Sequence, residues 1–186
     1  MYNLEDKMKI IARKKKYIIL LLILLVLGSF IYVKINYQDL KGRYIIYTQK
    51  DKLNTIVTFL KESHSNNTES LSFSCDKSIS RHIYDRLAFV KEVANDENAI
   101  SSLNSLNKKY GDDNKYFYSA DACYDKNGKV AVLFTYYEKA VHLDYKFNIK
   151  YIVYVDKDFD MEYFPTYKNL KKINGNWYTL SIITVG

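Results

Sequence analysis

The sequence predicts an α+β domain on a single N-terminal transmembrane helix. Three observations support this: an uncharged apolar stretch from Tyr17 to Val33, helical spacing of apolar residues before residue 110, and strand-like alternation from Tyr116 onward. Helices followed by a four- or five-stranded meander are typical of helices packed on one face of an antiparallel sheet. We expect a basic tail over 1–16, an anchor over 17–37, a connector over 38–50 and one extracytoplasmic domain over 51–186.

The apolar stretch is long enough to cross a bilayer once its flank is included. As a helix it covers roughly 25 Å, slightly less than the roughly 30 Å of hydrocarbon. If Lys34 bends its charge toward water, residues up to Tyr37 extend the span to about 31 Å. A buried soluble helix normally has a polar face, and a signal peptide has a shorter apolar run of roughly 7 to 15 residues. We therefore expect an uncleaved anchor.

Basic residues concentrate directly before this stretch, at Arg13, Lys14, Lys15 and Lys16. Positive flanks stay in the cytoplasm, so the tail is predicted inside and the domain outside. Most of the formal net charge of +7 lies in the first sixteen residues. The charge therefore indicates topology, and no nucleic-acid partner is expected because no basic stripe is concentrated on the domain.

Both cysteines, Cys75 and Cys123, follow the anchor and would meet an oxidising compartment. Two such cysteines most often pair, and closing this loop would stabilise the fold by about 4 kcal/mol. Two buried free thiols are the alternative. The wide spacing does not suggest a zinc site.

Helical spacing occurs three times after the anchor. The first helix is predicted over 52–62 with Asp51 as its N-cap, and a third follows Asp96 and ends at Gly111. Between them, a second helix is predicted from Ser80. The apolar residues that would share one face of these helices are Leu53, Ile56, Val57 and Leu60, then Ile83, Leu87, Val90 and Ala94, then Ile100, Leu103 and Leu106.

Alternation of period two predicts the strands. A short strand covers residues 71–75, and others cover 116–123, 130–136 and 143–155. Asn127-Gly128 and Asn174-Gly175 are strong hairpin signals, and residues 156–160 are a predicted turn. Pro165 places the segment 161–167 at an edge or bulge.

The C-terminal hairpin contains the pattern K-x-x-G-x-W-Y, formed by Lys172, Gly175, Trp177 and Tyr178. Together with the helix-then-sheet order, it resembles the cystatin-like or NTF2-like roll over roughly residues 51–186. A PAS-like or Cache-like sensor domain would give a similar order. The resemblance concerns architecture and implies no catalytic motif.

Candidate chemistry is sparse. Residues 156–162 have acids at alternate positions like a calcium loop, but Met161 and Tyr167 occupy the places that need glycine and glutamate. The histidines His64, His82 and His142 share no ligand spacing. Motifs for nucleophilic, phosphate or zinc chemistry are absent. We expect no enzyme activity, no cofactor and no metal.

The nineteen tyrosines favour a recognition surface, because tyrosine combines a rigid apolar body with a polar tip. Six fall on predicted sheet positions and form the candidate partner surface: Tyr116, Tyr118, Tyr136, Tyr145, Tyr151 and Tyr154. An AT-rich coding sequence is the alternative explanation of the tyrosine content.

These observations indicate a single-pass protein of a bacterial inner membrane, with its domain in the periplasm or outside the cell. Its expected partners are the lipid bilayer, through residues 17–37, and an envelope protein; a homo-oligomer is left open. We interpret it as a non-enzymatic accessory or assembly subunit of an envelope machine. An immunity or lysis-control protein and a ligand-sensing domain are the alternatives.

Overall fold

The structure, a computed structural model, describes residues 4–64, 68–83, 89–111, 116–142, 146–163 and 170–185. The chain divides into two compact units, Met1–Gln38 and Asp39–Gly186. Tyr145 and Pro165, on which two of the predictions depend, lie outside the described residues.

The first unit consists of the long helix α1, Leu4–Thr48, as far as Gln38. Its segment Lys14–Lys34 has a mean hydropathy of 2.5 and is exposed along its length. In the described part of the chain, this is the one helix long and apolar enough to cross a membrane. The coarse prediction of an N-terminal apolar helix is therefore confirmed.

The second unit is a mixed domain, which confirms the α+β class. After the end of α1 its helices are α2 (Lys50–Glu62) and α3 (Glu97–Tyr110). Its strands are β1 (Thr68–Ser74), β2 (Ser78–Ile83), β3 (Phe89–Val93), β4 (Ser119–Tyr124), β5 (Val130–His142), β6 (Lys146–Val155), β7 (Lys171–Asn174) and β8 (Trp177–Val185). They form one antiparallel sheet in the order β3-β2-β1-β4-β5-β6-β8-β7. The described sheet thus has eight strands, more than the four or five predicted.

The three helices contribute to one apolar core on a single face of this sheet. The spacing predicted for the first helix after the anchor is confirmed, since Leu53, Ile56 and Leu60 of α2 are fully buried there. Its predicted N-cap is wrong, because α2 begins at Lys50 after Gln49 and Asp51 lies within its first turn. The stretch predicted as a connector differs from the prediction. It continues α1 to Thr48 and buries Ile45 and Ile46 in the same core.

Part of the opposite sheet face has a second, smaller core. Val153 and Leu180 are buried there, and Phe159 from the turn after β6 packs with them. Tyr151, Val153 and Val155 share this face, as the alternating pattern predicted, and residues 147–151 are half-buried. The C-terminal end of β6 differs from the prediction, because Ile152 is buried in the larger core and Val153 in the smaller one, so both faces are covered there.

The second predicted helix is wrong. Residues 78–83 and 89–93 form the hairpin strands β2 and β3, in which Ser80 pairs with Lys91. β2 in turn pairs with β1, and Ile79 is buried. The spacing of Ile83, Val90 and Ala94 fits a helix, but the residues are also rich in β-branched side chains, and pairing with β1 selects the strand.

Several local signals are confirmed. The Asp96 carboxylate accepts hydrogen bonds from the Asn98 and Ala99 N–H groups at 2.9 Å, so it caps α3, and Gly111 ends that helix. Gly128 and Gly175 have φ of +72° and +54°, the left-handed conformation that their Asn-Gly hairpin turns require.

Candidate functional site

The sheet face opposite the helices, called here the open face, has a polar half. Strand β4 alternates: Ala120, Ala122 and Tyr124 are buried with the helices, so Ser119, Asp121 and Cys123 lie on the open face. The polar patch is defined as Ser72, Ser74, Ser80, Ser119, Asp121 and Thr135, which are all half-buried. In the register, Ser80 lies opposite Ser72 and Ser72 opposite Asp121. Small hydroxyl side chains thus surround a carboxylate.

Asp121 is the charged member of this patch. Ser72 Oγ donates a hydrogen bond to its Oδ1 at 2.6 Å. Burial raises the pKa of the Asp121 carboxyl, and the hydrogen bond from Ser72 offsets only part of that effect. Carboxyls held in an environment that disfavours their charge cluster at functional sites.

An aromatic and a second acid border the patch. Tyr151 of β6 is paired with Thr135 of β5. Burial raises the pKa of the Tyr151 hydroxyl, and the negative charges of Asp121 and Glu138 raise it further. The arrangement therefore offers hydroxyl groups and negative charge, which suit a partner presenting hydrogen-bond donors and a positive charge.

The predicted disulfide between Cys75 and Cys123 is absent, and both thiols are free. Cys75 packs against the larger core and Cys123 against the smaller one, so the two lie on opposite faces of the sheet. Cys123 is paired with Ser70, and Cys75 is five residues further along the chain. The separation is about 17 Å along the strand, against roughly 4.4–6.8 Å for a disulfide.

The candidate tyrosine surface does not form one surface. Tyr116, Tyr136 and Tyr154 pack in or against the larger core on the helix side. Tyr154 accepts a hydrogen bond from Lys61 and donates one to Asp156. Tyr151 lies on the open face, and Tyr118 is 40% exposed next to β4. The alternation along β5 and β6 divides these side chains between the two faces.

The basic residues before the anchor and His64 lie outside the polar patch. Lys14, Lys15 and Lys16 are exposed on α1, and Arg13 lies in the same helix. His64 stacks on Tyr124, with ring centroids 4.4 Å apart. Within the described ranges, no group of three or more metal-ligating side chains comes together.

Residues 156–160 form the predicted turn, and acidic side chains in and beside it accept structural hydrogen bonds. Asp156 accepts hydrogen bonds from Lys61 and from the Val130 N–H. The buried Asp125 accepts from the Asp160 N–H and from the backbone of its own hairpin turn. These carboxylates therefore hold two turns together.

A depression lies on the helix side. It is a groove of about 360 Å³ between α2 and α3, lined by polar residues that include Asp51, Thr58 and Asn98. The Asp96 carboxylate at its edge is already engaged in capping α3. The groove offers no converging set of reactive groups comparable to the Asp121 region.

Sequence reasoning missed Asp121 and Ser72. The signal was present, because Ser119 and Asp121 alternate with the small apolar residues Ala120 and Ala122 in a predicted strand. That pattern indicates a polar face, but it does not indicate which other strand lies beside it.

No family model, curated protein or solved structure matches this chain.

Proposed function

We propose that this protein is a single-pass membrane protein whose exported α+β domain binds another protein through the polar patch. The observation that supports this most directly is Asp121, a half-buried carboxyl on the sheet face away from the helices. Replacing it with a neutral residue would remove an unfavourable burial of charge, so its presence is best explained by use in binding.

The partner is expected to present a lysine or arginine to Asp121. A carboxylate already shielded from water gains more from a new cation than an exposed one, because little further desolvation is needed. The surrounding serine and threonine hydroxyls can each donate and accept hydrogen bonds. Tyr151 at the border provides an aromatic surface of the kind enriched at protein interfaces.

The compartment follows from the basic flank. Arg13, Lys14, Lys15 and Lys16 directly precede the uncharged stretch that begins at Tyr17, which supports a cytoplasmic N-terminus and an external domain in a bacterial inner membrane. In this role the domain would be an accessory or assembly subunit of an envelope machine.

We propose that the domain is an NTF2-like or cystatin-like roll. An NTF2-like or cystatin-like roll needs a curved sheet with helices on its inner face. The long strand β5 has register shifts between Thr135 and Tyr137 and between Ala140 and His142, and such bulges bend a strand. The bends of β5 supply curvature of the kind that a roll requires.

Site-specific photo-crosslinking in intact cells tests the binding face. A crosslinking amino acid at Ser74 or Thr135 should give a discrete adduct with another protein, whereas one at the exposed position Asn104 on α3 should not. Asp121→Asn, which keeps the side-chain shape, should reduce the adduct at least several-fold, and Asp121→Lys should abolish it. Equal adducts from Asn104, or no effect of either Asp121 substitution, would contradict the proposed face.

The topology is tested separately with a reporter fused after Gly186. An enzyme reporter that works only outside the cytoplasm should show activity in this fusion. Substituting glutamine for all four basic residues 13–16 should reduce the fraction of chains with the predicted orientation. If a second reporter, which works only in the cytoplasm, were the active one, the proposed topology would be wrong. That result would not affect the proposal of which sheet face binds.

A further inference from the structure

Within the second unit, α1 presents an apolar stripe away from the domain. Leu40, Tyr44 and Tyr47 are 40%, 58% and 63% exposed. They are spaced by four and then three residues, which is the spacing of the a and d positions of a heptad. Side chains at this spacing lie on one side of a helix.

The stripe is opposite the face that packs on the sheet. Taking Tyr44 as position a, the buried residues Ile45 and Ile46 are positions b and c, and the buried Gly42 is position f. Positions b, c and f lie on the far side of a coiled-coil helix from a and d. The domain therefore covers one side of the helix and leaves accessible the side that a second helix would contact.

We propose that this stripe pairs with the same stripe of a second copy of the chain in a parallel two-helix contact. Identical chains inserted in one membrane have the same direction, so like residues meet in register. In the sequence, the same alternation of three and four residues runs back through Tyr37, Val33 and Phe30. The inference rests on the proposed membrane anchor, which sets the parallel direction and holds both copies in one membrane, and is independent of the polar patch.

The flanking charges are compatible with this pairing. In a parallel pair, a g residue lies beside the e residue five positions later on the other helix. Arg43 at position g would therefore lie beside the second copy's Thr48, which is uncharged. Lys41 at position e lies over the ring of its own Tyr116, 5.8 Å from the centroid. No like charges are brought together at these positions.

The available area explains where pairing should occur. The exposed parts of these three side chains amount to roughly 300 Å² per copy, about half of what the smallest stable interfaces bury on each partner. Tethering to one membrane raises the effective concentration and so allows a smaller contact to form. The pair is therefore expected for the full chain in membranes.

Cysteine crosslinking of the full chain in membranes tests the contact. Leu40→Cys, Tyr44→Cys and Tyr47→Cys should each give, on mild oxidation, several-fold more covalent dimer than Arg43→Cys, whose exposed position lies beside the stripe. The unsubstituted chain sets the background from Cys75 and Cys123. Equal dimer yields at Arg43 and Tyr44, or adducts with a different protein only, would overturn the proposal.

A second measurement does not depend on introduced thiols. Tyr44→Lys combined with Tyr47→Lys places like charges in the contact on an exposed helix face, where folding of the domain is not affected. Mass measurement of the chain extracted together with its surrounding lipid, in membrane nanodiscs, should change from a dimer to a monomer. A monomeric native chain, or a dimer unchanged by both substitutions, would also overturn the proposal.

Discussion

Gly42 of α1 lies directly against Tyr136 of β5. A Cβ atom at position 42 would come within 2.7 Å of the Tyr136 hydroxyl oxygen, closer than real Cβ atoms approach other atoms. The Tyr136 hydroxyl is buried and has no hydrogen-bond partner among the described residues. The helix and the sheet can therefore approach this closely only because glycine has no side chain at position 42.

Gly42→Ala should lower the free energy of unfolding by about 1–3 kcal/mol, because the helix or Tyr136 must move. Tyr136→Phe should be neutral or slightly stabilising, since it removes a buried hydroxyl without a partner. The double variant should be less destabilised than the sum of the two, by about 0.5 kcal/mol or more. Thermal and urea unfolding of the detergent-solubilised chain measure these differences.

Gly28→Ala is the matched control for that series. A Cβ at position 28 meets nothing within 4 Å, so the stability of the domain should not change. If Gly42→Ala behaves like Gly28→Ala, the proposed close contact of helix and sheet is not present in solution.

Asp121→Asn should stabilise the domain at neutral pH. The pKa of Asp121 in the folded state is raised above the ordinary value of 3.8, so the folded state holds the proton more tightly than the unfolded state. The resulting contribution to stability is fully present below pH 3.8. This contribution is lost as the pH rises through the folded pKa, and the charged form then opposes folding. Unfolding curves of the two chains should separate at pH 7 and converge below pH 3.8. Glu62→Gln on the exposed surface of α2 should have no effect; a destabilised Asp121→Asn chain at pH 7 would refute the assignment.

Asp39→Asn should act in the opposite direction. Burial alone would raise the pKa of Asp39, but hydrogen bonds and positive charge from Lys150 and Lys171 outweigh it and lower the pKa below 3.8. The ionised Asp39 therefore contributes its full stabilisation of the folded state above pH 3.8, and this contribution is lost as the pH falls through the pKa of the folded state.

At neutral pH the Asn variant should lose about 1.5–3 kcal/mol, because the Asp39–Lys150 pair is only 25% and 14% exposed. Lys171→Met is a control for the more exposed partner and should lose about 0–1 kcal/mol. Equal effects of the two substitutions would show that the Lys150 pair contributes nothing beyond a surface contact.

Both cysteines should react with a thiol reagent in denaturant without prior reduction, adding two labels per chain by mass spectrometry. In the native protein the reaction should be slow, because both thiols are half-buried and burial raises the pKa of each to about 11. A sample reduced beforehand should give the same mass. Labelling that appears only after reduction would mean that the disulfide forms.

Local sequence patterns predicted much of the fold. The apolar helix, α2, α3 with its Asp96 cap, and the two Asn-Gly hairpins each depend on residues that are close in sequence. Period, capping and turn chemistry therefore determine them before any long-range contact forms. The hairpin β2–β3 was not predicted, because its residues satisfy a helical spacing as well as a strand composition.

The sequence by itself determined the apolar helix, the mixed class and the positions of the tight turns. Only the tertiary structure decided that β1 lies beside β4, and this pairing places Ser72 against Asp121. In the same pairing, Cys75 and Cys123 lie on opposite faces of the sheet. The same applies to Gly42, whose role depends on a tyrosine far along the chain. The physical reason is that a strand's own pattern specifies its buried face but not its neighbour. The neighbour is selected by the packing of the whole sheet against the helices.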